Sequence, residues 1–451
     1  MATALIVLAA GQGTRMNSDL PKVLHPLGGV PLVVHAMASG RAVSPEKTVV
    51  VAGHRADLVK PAVLAYDPDA TIVHQTEQLG TGHAVLQAAG ALDGFGGDAI
   101  VVFGDTPFVS PDTIARMAQA RTEGADIVML GFEAADPGRY GRMVVRDGQF
   151  ERIVEAKDAT PEELAITLCN GGLVAADAAT LFDLLETIGN DNASGEYYLT
   201  DIIAAGRKRG LSAGVVTCDE AETLGINTRA ELARAEALFQ AQKRTEALEN
   251  GVTLIAPDTV FFAFDTVIGR DAVVEPNVVF GPDVTVESGA TIRAFSHLEG
   301  CHVSRDAIVG PYARLRPGAK LAEGSKVGNF VEVKNAMIHE GAKVNHLSYI
   351  GDASIGARSN IGAGTITCNY DGFMKHRTEI GEGAFIGSNT MLVAPVTVGN
   401  EAMTATGSVI NRDVPDGALA LARARQETKP GMARKLFAKL KAAKAKRDKG
   451  A

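Results

Sequence analysis

The chain has 451 residues, of which 46% are apolar and 22% charged, and a formal net charge of −9. That length exceeds one ordinary core and predicts two or more domains. The acidic balance argues against a general nucleic-acid-binding protein, and no apolar stretch is long enough to span a bilayer.

Met1 to Leu8 runs straight into an apolar strand, without a charged leader or a cleavage site, so no signal peptide is expected. The four cysteines, Cys169, Cys218, Cys301 and Cys368, form no Cys-x-x-Cys pair and suit neither a zinc ribbon nor a small disulfide framework. Free thiols in a reducing compartment are expected, and hence the cytoplasm.

The first half alternates apolar runs with helical patterns. Ala4 to Leu8, Thr48 to Ala52, Thr71 to His74, Ala99 to Phe103 and Asp126 to Leu130 read as strands. Pro31 to Ala38, His83 to Ala91 and Pro111 to Arg121 read as helices. This alternation predicts an α/β domain with a mostly parallel sheet covered on both faces.

Three loops leave the ends of these strands, where open α/β sheets bind ligands. The first is Leu8-Ala9-Ala10-Gly11-Gln12-Gly13-Thr14-Arg15-Met16. A glycine-rich turn after a strand lets backbone N–H groups close on phosphate. It is neither a Walker A loop nor a full dinucleotide fingerprint, because Met16 stands at the third glycine. Arg15 and Lys22 add two cations beside it. The second loop, Gln75 to His83, carries Gly80, Thr81 and Gly82. The third follows Phe103-Gly104-Asp105. A carboxylate there suits a hard cation such as Mg²⁺, and it equally suits a cap on the next helix.

Thr228 to Asn250 contains no Gly or Pro and reads as a connecting helix. Thr228 and Glu231 fit a capping box, and Gly251 fits the residue past the helix end. Beyond it the period changes to six. Ile268, Val274, Phe280, Val286, Ile292 and Leu298 recur at that spacing, followed by Val309, Leu315, Leu321, Val327 and Val333, and later by Ile380, Ile386, Leu392 and Val398. Such a hexad is one short strand and a turn, and stacked hexads build a prism with an apolar inside. Repeats alone leave an oligomerisation scaffold and an acyltransferase equally open.

Departures from the hexad carry the chemistry. Arg314-Leu315-Arg316 places guanidinium groups suited to phosphate. Glu332 and Lys334 flank the inward Val333 and so face outward. His346 and Tyr349 fall near a prism edge, where a histidine is either a base or a plain surface residue. Gly364 to Arg377 breaks the period and predicts a projecting loop. The basic run from Lys429 to Lys449 reads as a solvated or loosely helical extension, or as a contact to an anionic ligand or neighbouring subunit.

The first-half motifs resemble the sugar-nucleotide pyrophosphorylases. The match continues through Tyr140-Gly141-Arg142, Ile153-Val154-Glu155-Ala156-Lys157, Asn170-Gly171-Gly172, Gly195 to Asp201 and Gly225-Ile226-Asn227. With the second-half motifs, the chain is similar to the bacterial bifunctional N-acetylglucosamine-1-phosphate uridylyltransferases/glucosamine-1-phosphate acetyltransferases. The resemblance implies a Rossmann-like nucleotidyltransferase domain over residues 1–227, a linker helix over 228–250, a left-handed parallel β-helix acetyltransferase domain over 251–428 and a basic tail over 429–451. It also implies acetyl transfer from acetyl-CoA to glucosamine-1-phosphate, then uridylyl transfer from UTP with release of pyrophosphate. The product, UDP-N-acetylglucosamine, feeds peptidoglycan and lipopolysaccharide synthesis.

By that resemblance, Leu8, Ala9, Ala10, Gly11, Lys22, Gln75, Gly80, Thr81, Phe103, Gly104 and Asp105 hold the nucleotide, and Arg15 with Lys22 serves catalysis. Gly141, Glu155, Asn170 and Asn227 hold the sugar and phosphate, while Asp105 and Asn227 carry Mg²⁺. His346 is the general base, and Glu332 supports the site. Arg316, Lys334, Tyr349 and Asn360 bind the sugar phosphate. Ala363, Asn369, Tyr370, Ser388, Thr406 and Arg423 bind acetyl-CoA. A homotrimer with acetyltransferase sites between adjacent prisms is implied, with no nucleic-acid partner and no membrane insertion. Gln12, Ala156, Gly171 and Thr406 depart from the family pattern, where Lys, His, Thr and Ala are frequent. The rival readings are a monofunctional nucleotidyltransferase on a prism scaffold, a non-catalytic regulatory protein, and a nucleic-acid binder using the basic tail.

Overall fold

In the computed structural model, which describes residues 2–53, 55–146 and 148–448, the first strand, β1, spans Thr3–Ala9 and buries every residue. Successive side chains leave a strand on opposite faces. Ala4, Ile6 and Leu8 accordingly enter one apolar cluster, while Leu5, Val7 and Ala9 enter another. Two cores, one on each face of a sheet, follow from that one strand.

The other strands of this sheet are β2 (Lys47–Ala52), β3 (Thr71–His74), β4 (Asp98–Phe103), β5 (Ile127–Glu133), β6 (Arg142–Arg146), β7 (Gln149–Val154), β8 (Leu168–Asp177) and β9 (Ala213–Cys218). The sheet order is β9-β5-β8-β4-β1-β2-β3, and β6 and β7 form a hairpin joined to β8. β1 is parallel to both β2 and β4, β3 is parallel to β2, and β9 to β5. β8 runs antiparallel between β4 and β5. The expected parallel sheet is thus interrupted by one reversed strand. The carboxyl ends of β1, β3 and β4 share one edge, so the three glycine-bearing loops leave together.

The expected helices appear as Leu32–Gly40 and Pro111–Thr122, while the one expected over His83 to Ala91 is a short helix, Thr81–Leu86, followed by a 3-10 turn, Ala89–Leu92. The helix expected to connect the halves spans Arg229–Glu249. The chain divides into two compact units, Met1–Glu246 with Phe262–Phe264, and Ala247–Phe261 with Asp265–Ala451. Most of that helix therefore belongs to the first unit. Its Phe239 and Ala235 join Leu27, Leu32 and Ile226 in a small core. Gln240 makes a reciprocal pair with the Phe262 backbone, at 2.7 and 2.8 Å.

The second unit is a parallel β-helix. Val274, Phe280, Val286, Ile292, Leu298, Val309, Leu315, Leu321, Val327 and Val333 are all buried, and Ile268 on the first coil is half-buried. Strands pair with the equivalent strand one coil on. Lys326 pairs with Lys343, and Lys343 with Asn360, at a spacing of seventeen residues. Asn360 then pairs with Phe385, twenty-five residues on. The surplus chain is the expected loop, closed by a bridge between Tyr370 and Lys375. In the basic tail, Met432–Arg447 is a helix without a buried residue.

Candidate active sites

The turn after β1 closes because Gly13 adopts φ 64°, and a Cβ there would lie 2.5 Å from that of Lys22. Lys22 is thereby drawn under the loop. Its ammonium pairs with the Asp105 carboxylate and donates to Asn227 Oδ1 at 3.0 Å. Arg15 Nη2 donates to the same oxygen at 2.9 Å. Two oxygen ligands from distant parts of the chain thus converge on one cation.

Backbone bonds fix that convergence. Gly104 N–H donates to the Leu8 carbonyl at 2.9 Å, and Ile226 N–H to the Asp105 carbonyl at 3.0 Å. The capping box forms as expected: Glu231 accepts from the Thr228 N–H at 2.9 Å, and Thr228 Oγ1 accepts from the Glu231 N–H at 3.2 Å. Glu231 also accepts from the Asn227 N–H at 2.7 Å. Ser110, not Asp105, caps the helix Pro111–Thr122. The capping alternative for Asp105 is therefore replaced by a cation-facing carboxylate.

Beside these charges lies a cleft of about 310 Å³, lined by Leu8, Ala10, Gly11, Gln75, Gly80, Thr81, Phe103 and Asp105, with Gln78 and Glu196. The buried Gln75 amide donates to the Gly80 carbonyl at 3.1 Å. Gln78 donates to the Ala10 carbonyl at 2.7 Å and so joins two of the loops. Thr81 Oγ1 accepts from the Leu199 N–H at 3.1 Å. Gly80, at φ 111°, packs on the Tyr197 backbone, where a side chain would collide.

The remaining residues of the first set meet around β8. Asn170 N–H donates to the Gly141 carbonyl at 2.8 Å, and Asn170 Oδ1 accepts from Gly172 N–H at 2.9 Å. A Cβ on Gly141 would lie 3.2 Å from Glu155 Oε1, and one on Gly172 would lie 3.2 Å from the Phe103 ring that lines the cleft. Burial, with Asp158 and Asp201 nearby, pushes the Glu155 carboxyl above its ordinary range.

In the second unit, one corner of the β-helix carries a column that includes several of the expected site residues. Leu347 N–H donates to the Asn329 carbonyl at 3.0 Å, Gly364 N–H to that of His346 at 3.3 Å, Asn389 N–H to that of Ala363 at 2.7 Å, and Gly407 N–H to that of Ser388 at 2.8 Å. Asn329, His346, Ala363, Ser388 and Thr406 therefore occupy equivalent places on successive coils. Arg423 Nη1 donates to the Thr406 carbonyl at 2.8 Å, so the side chain at 406 is not what makes this contact.

His346 Nδ1 lies 2.6 Å from Asn329 Oδ1. An amide oxygen only accepts, so in the neutral ring Nδ1 carries the proton and Nε2 the lone pair. Glu332 instead accepts from Arg316 Nη1 at 2.7 Å. Lys334 lies against Lys375, whose positive charge, with that of Arg316, holds the Lys334 ammonium below its ordinary range. The Tyr349 hydroxyl and Asn369 Nδ2 both fill the space above Gly351, where no Cβ intrudes. Tyr370 is 61% exposed on the loop. Asp371 shapes that loop by accepting from the N–H groups of Phe373 at 2.8 Å and Met374 at 2.7 Å, with His376 at 2.7 Å. The His376 ring and those N–H groups hold its carboxyl well below the usual range. Asn360 sits on the strand between Lys343 and Phe385, and no side-chain bond ties it to this cationic group among the described residues.

Residues 5–191 match the family described as MobA-like NTP transferase domain, and residues 265–300 and 377–412 match bacterial transferase hexapeptide (six repeats). The chain is 67% identical over 450 residues to the Bifunctional protein GlmU of Ruegeria sp. (strain TM1040), covering 100% of both chains. It is 65% identical over 441 residues to the Bifunctional protein GlmU of Jannaschia sp. (strain CCS1), covering 98% of this chain and 97% of that one. It is 66% identical over 450 residues to the Bifunctional protein GlmU of Roseobacter denitrificans (strain ATCC 33942 / OCh 114), again over 100% of both.

The chain belongs to the GlmU family.

As a GlmU protein it is an enzyme with two activities, UDP-N-acetylglucosamine pyrophosphorylase and glucosamine-1-phosphate N-acetyltransferase. Its second unit is the left-handed parallel β-helix of hexapeptide transferases. No described helix is long and apolar enough to cross a membrane. Four residues that the structure brings beside these candidate sites carry no local signal in the sequence. Gln78 and Lys375 lie in loops, where no period speaks. Asn329 and Asp352 lie one coil from His346 and Asn369, and the coil spacing was the signal that would have found them.

Proposed function

We propose that the first unit binds UTP in the cleft beside Lys22 and joins its uridylyl group to N-acetylglucosamine-1-phosphate, and that the second unit makes that acceptor from glucosamine-1-phosphate and acetyl-CoA. The observation that carries the first half is the convergence of Asp105 and Asn227 Oδ1 on the Lys22 ammonium.

Among the described residues no group of three or more His, Cys, Asp or Glu forms a closed metal cage. Mg²⁺ does not need one, since water and substrate phosphates supply most of its ligands. An ammonium already bound between a carboxylate and an amide oxygen fits a cation position there. Asp105 and Asn227 would hold Mg²⁺, which when bound supplies charge neutralisation at the phosphates. Arg15 and Lys22 hold the triphosphate, and Gln75, Gly80 and Thr81 hold the base end. Glu155, Asn170 and the Gly141 backbone orient the sugar. The attacking phosphate oxygen is already anionic, so no side chain needs to act as a base. Catalysis is positioning and electrostatics.

In the second unit, Nε2 of His346 takes a proton from the sugar amine, because an ammonium has no lone pair for the thioester carbonyl. Asn329 sets the tautomer. Arg316, Lys334 and Tyr349 bind the sugar phosphate, with Lys375 completing the cationic group and Asn360 nearby on the stack. Arg316 Nε is a buried N–H with no acceptor, which a phosphate oxygen would satisfy. Glu332 holds Arg316 in place. Ala363, Ser388 and Thr406 of the corner column bind acetyl-CoA together with Asn369, Tyr370 and Arg423.

A homotrimer in the cytoplasm completes the reading. Its support is an exposed apolar ridge beside His346. Phe295 and Tyr312 stack at 4.9 Å, Tyr312 and Phe330 at 5.2 Å, and Leu347 follows, all exposed. Each holds a left-handed φ that bulky residues rarely adopt.

The test supplies glucosamine-1-phosphate, acetyl-CoA, UTP and Mg²⁺ to the pure protein and follows free CoA and pyrophosphate together. Both should appear, with pyrophosphate depending on acetyl-CoA unless N-acetylglucosamine-1-phosphate is added. Pyrophosphate without CoA release would leave the β-helix a scaffold.

A further inference from the structure

Asp352 belongs to a second corner column, in which Asn335, Asp352 and Asn369 lie on successive coils. The residue is 9% exposed. Its Oδ1 accepts from Asn335 Nδ2 at 2.6 Å, and its Oδ2 accepts from Asn369 Nδ2. Burial opposes ionisation here, but the two amides and the charges of Lys375 and Lys334 outweigh it and hold the carboxyl below its usual range. A buried carboxylate is normally costly unless it is paired and bonded. This one is bonded through both oxygens and lies in the field of Lys375 and Lys334, in the cationic group of the proposed acetyltransferase site.

The direction of these bonds has a consequence for Asn369. With Nδ2 committed to Asp352, its Oδ1 is turned away from the carboxylate and is an acceptor only. Its backbone is also anchored, because His376 N–H donates to the Asn369 carbonyl at 2.8 Å where the projecting loop returns. An acceptor suits the amide N–H groups along the arm of acetyl-CoA. A flipped Asn369 would present a donor there and lose that bond.

We propose that Asp352 is a positioning residue for acetyl transfer: its carboxylate, bonded to the Asn335 and Asn369 amides, holds the side-chain oxygen Oδ1 of Asn369 toward the acyl donor. This rests on the reading of Asn369 as an acetyl-CoA contact.

Asp352→Asn keeps size and tolerates the left-handed φ of 48°. It presents one acceptor and one donor to two amide donors, so position 352 no longer dictates which way the Asn369 amide faces. The KM for acetyl-CoA should rise about tenfold, the scale of one lost hydrogen bond, with kcat changed little. The double variant Asp352→Asn with Asn335→Asp moves the carboxylate one coil back. The new amide at position 352 then donates to the carboxylate at position 335 and accepts from Asn369, so KM should return toward wild type. Asn335→Ala alone leaves the Asn369 bond and should keep KM. Pyrophosphorylase activity and thermal melting of each variant check the fold.

Asn369→Ala separates the two claims. If it leaves KM for acetyl-CoA unchanged, the contact reading fails. If it raises KM while Asp352→Asn does not, or if the double variant fails to recover, the positioning role of Asp352 is overturned.

Discussion

His346 and Asn329 stand on adjacent coils with Nδ1 2.6 Å from Oδ1. The pair decides which ring nitrogen is left to accept a proton. Asn329→Ala should lower acetyl transfer by roughly ten- to a hundredfold, as when a functional histidine loses its orienting partner. His346→Ala should lower it by about 10²–10⁴. Both should release pyrophosphate from UTP and N-acetylglucosamine-1-phosphate at the wild-type rate. Full CoA release by His346→Ala would remove it as the base.

Asp105→Ala deletes the carboxylate facing Lys22. Pyrophosphate release should fall at least about a hundredfold. CoA release should persist, because Asp105 lies in the first unit and His346 in the second. Wild-type pyrophosphate release by this variant would sink the Mg²⁺ assignment.

Glu231 accepts from two backbone N–H groups at the start of the helix Arg229–Glu249, including that of Asn227. Glu231→Ala should cost about 1 kcal/mol of stability, the usual worth of a cap. It should also raise the KM for UTP, because Asn227 is no longer held. A melting curve and a UTP titration on one preparation read both effects.

Glu155 carries a folded pKa above its unfolded one. Between the two values the folded chain keeps a proton that the unfolded chain has lost. The stabilisation is complete below the ordinary glutamate pKa and is lost as pH rises through the folded value. Glu155→Gln should therefore melt at or above wild type near pH 7, with the advantage shrinking toward about pH 4. The same variant should raise the KM for N-acetylglucosamine-1-phosphate. A lower melting temperature at neutral pH would mean that the carboxylate is better paired than its surroundings indicate.

Lys375 crowds Lys334 with like charge. Such crowding is tolerated when an anion is the intended guest. Lys375→Ala should raise the KM for glucosamine-1-phosphate by roughly tenfold, the loss of one charged hydrogen bond. The defect should narrow at high salt, where wild-type attraction is also screened. An unchanged KM would take Lys375 out of the phosphate group.

Much of this protein was legible without coordinates because its signals are local or periodic. Hexad spacing names the inward residues from Val274 to Val333, since one side chain per short strand must face the inside of a coil. Glycine-rich loops after apolar strands mark the nucleotide edge, since parallel strands place their carboxyl ends together. Thr228 and Glu231 announce a helix start because capping needs only three residues of chain. Tertiary structure alone decided the rest. Lys22 meets Asp105 and Asn227 across 83 and 205 residues of sequence, and no local rule links them. The reversal of β8, the packing of Phe239 within the first unit, and the pairing of His346 with Asn329 and of Glu332 with Arg316 all depend on which side chains the packed core brings within hydrogen-bond reach. Periodicity determines which face a residue occupies; only the closed fold determines which neighbour it finds there.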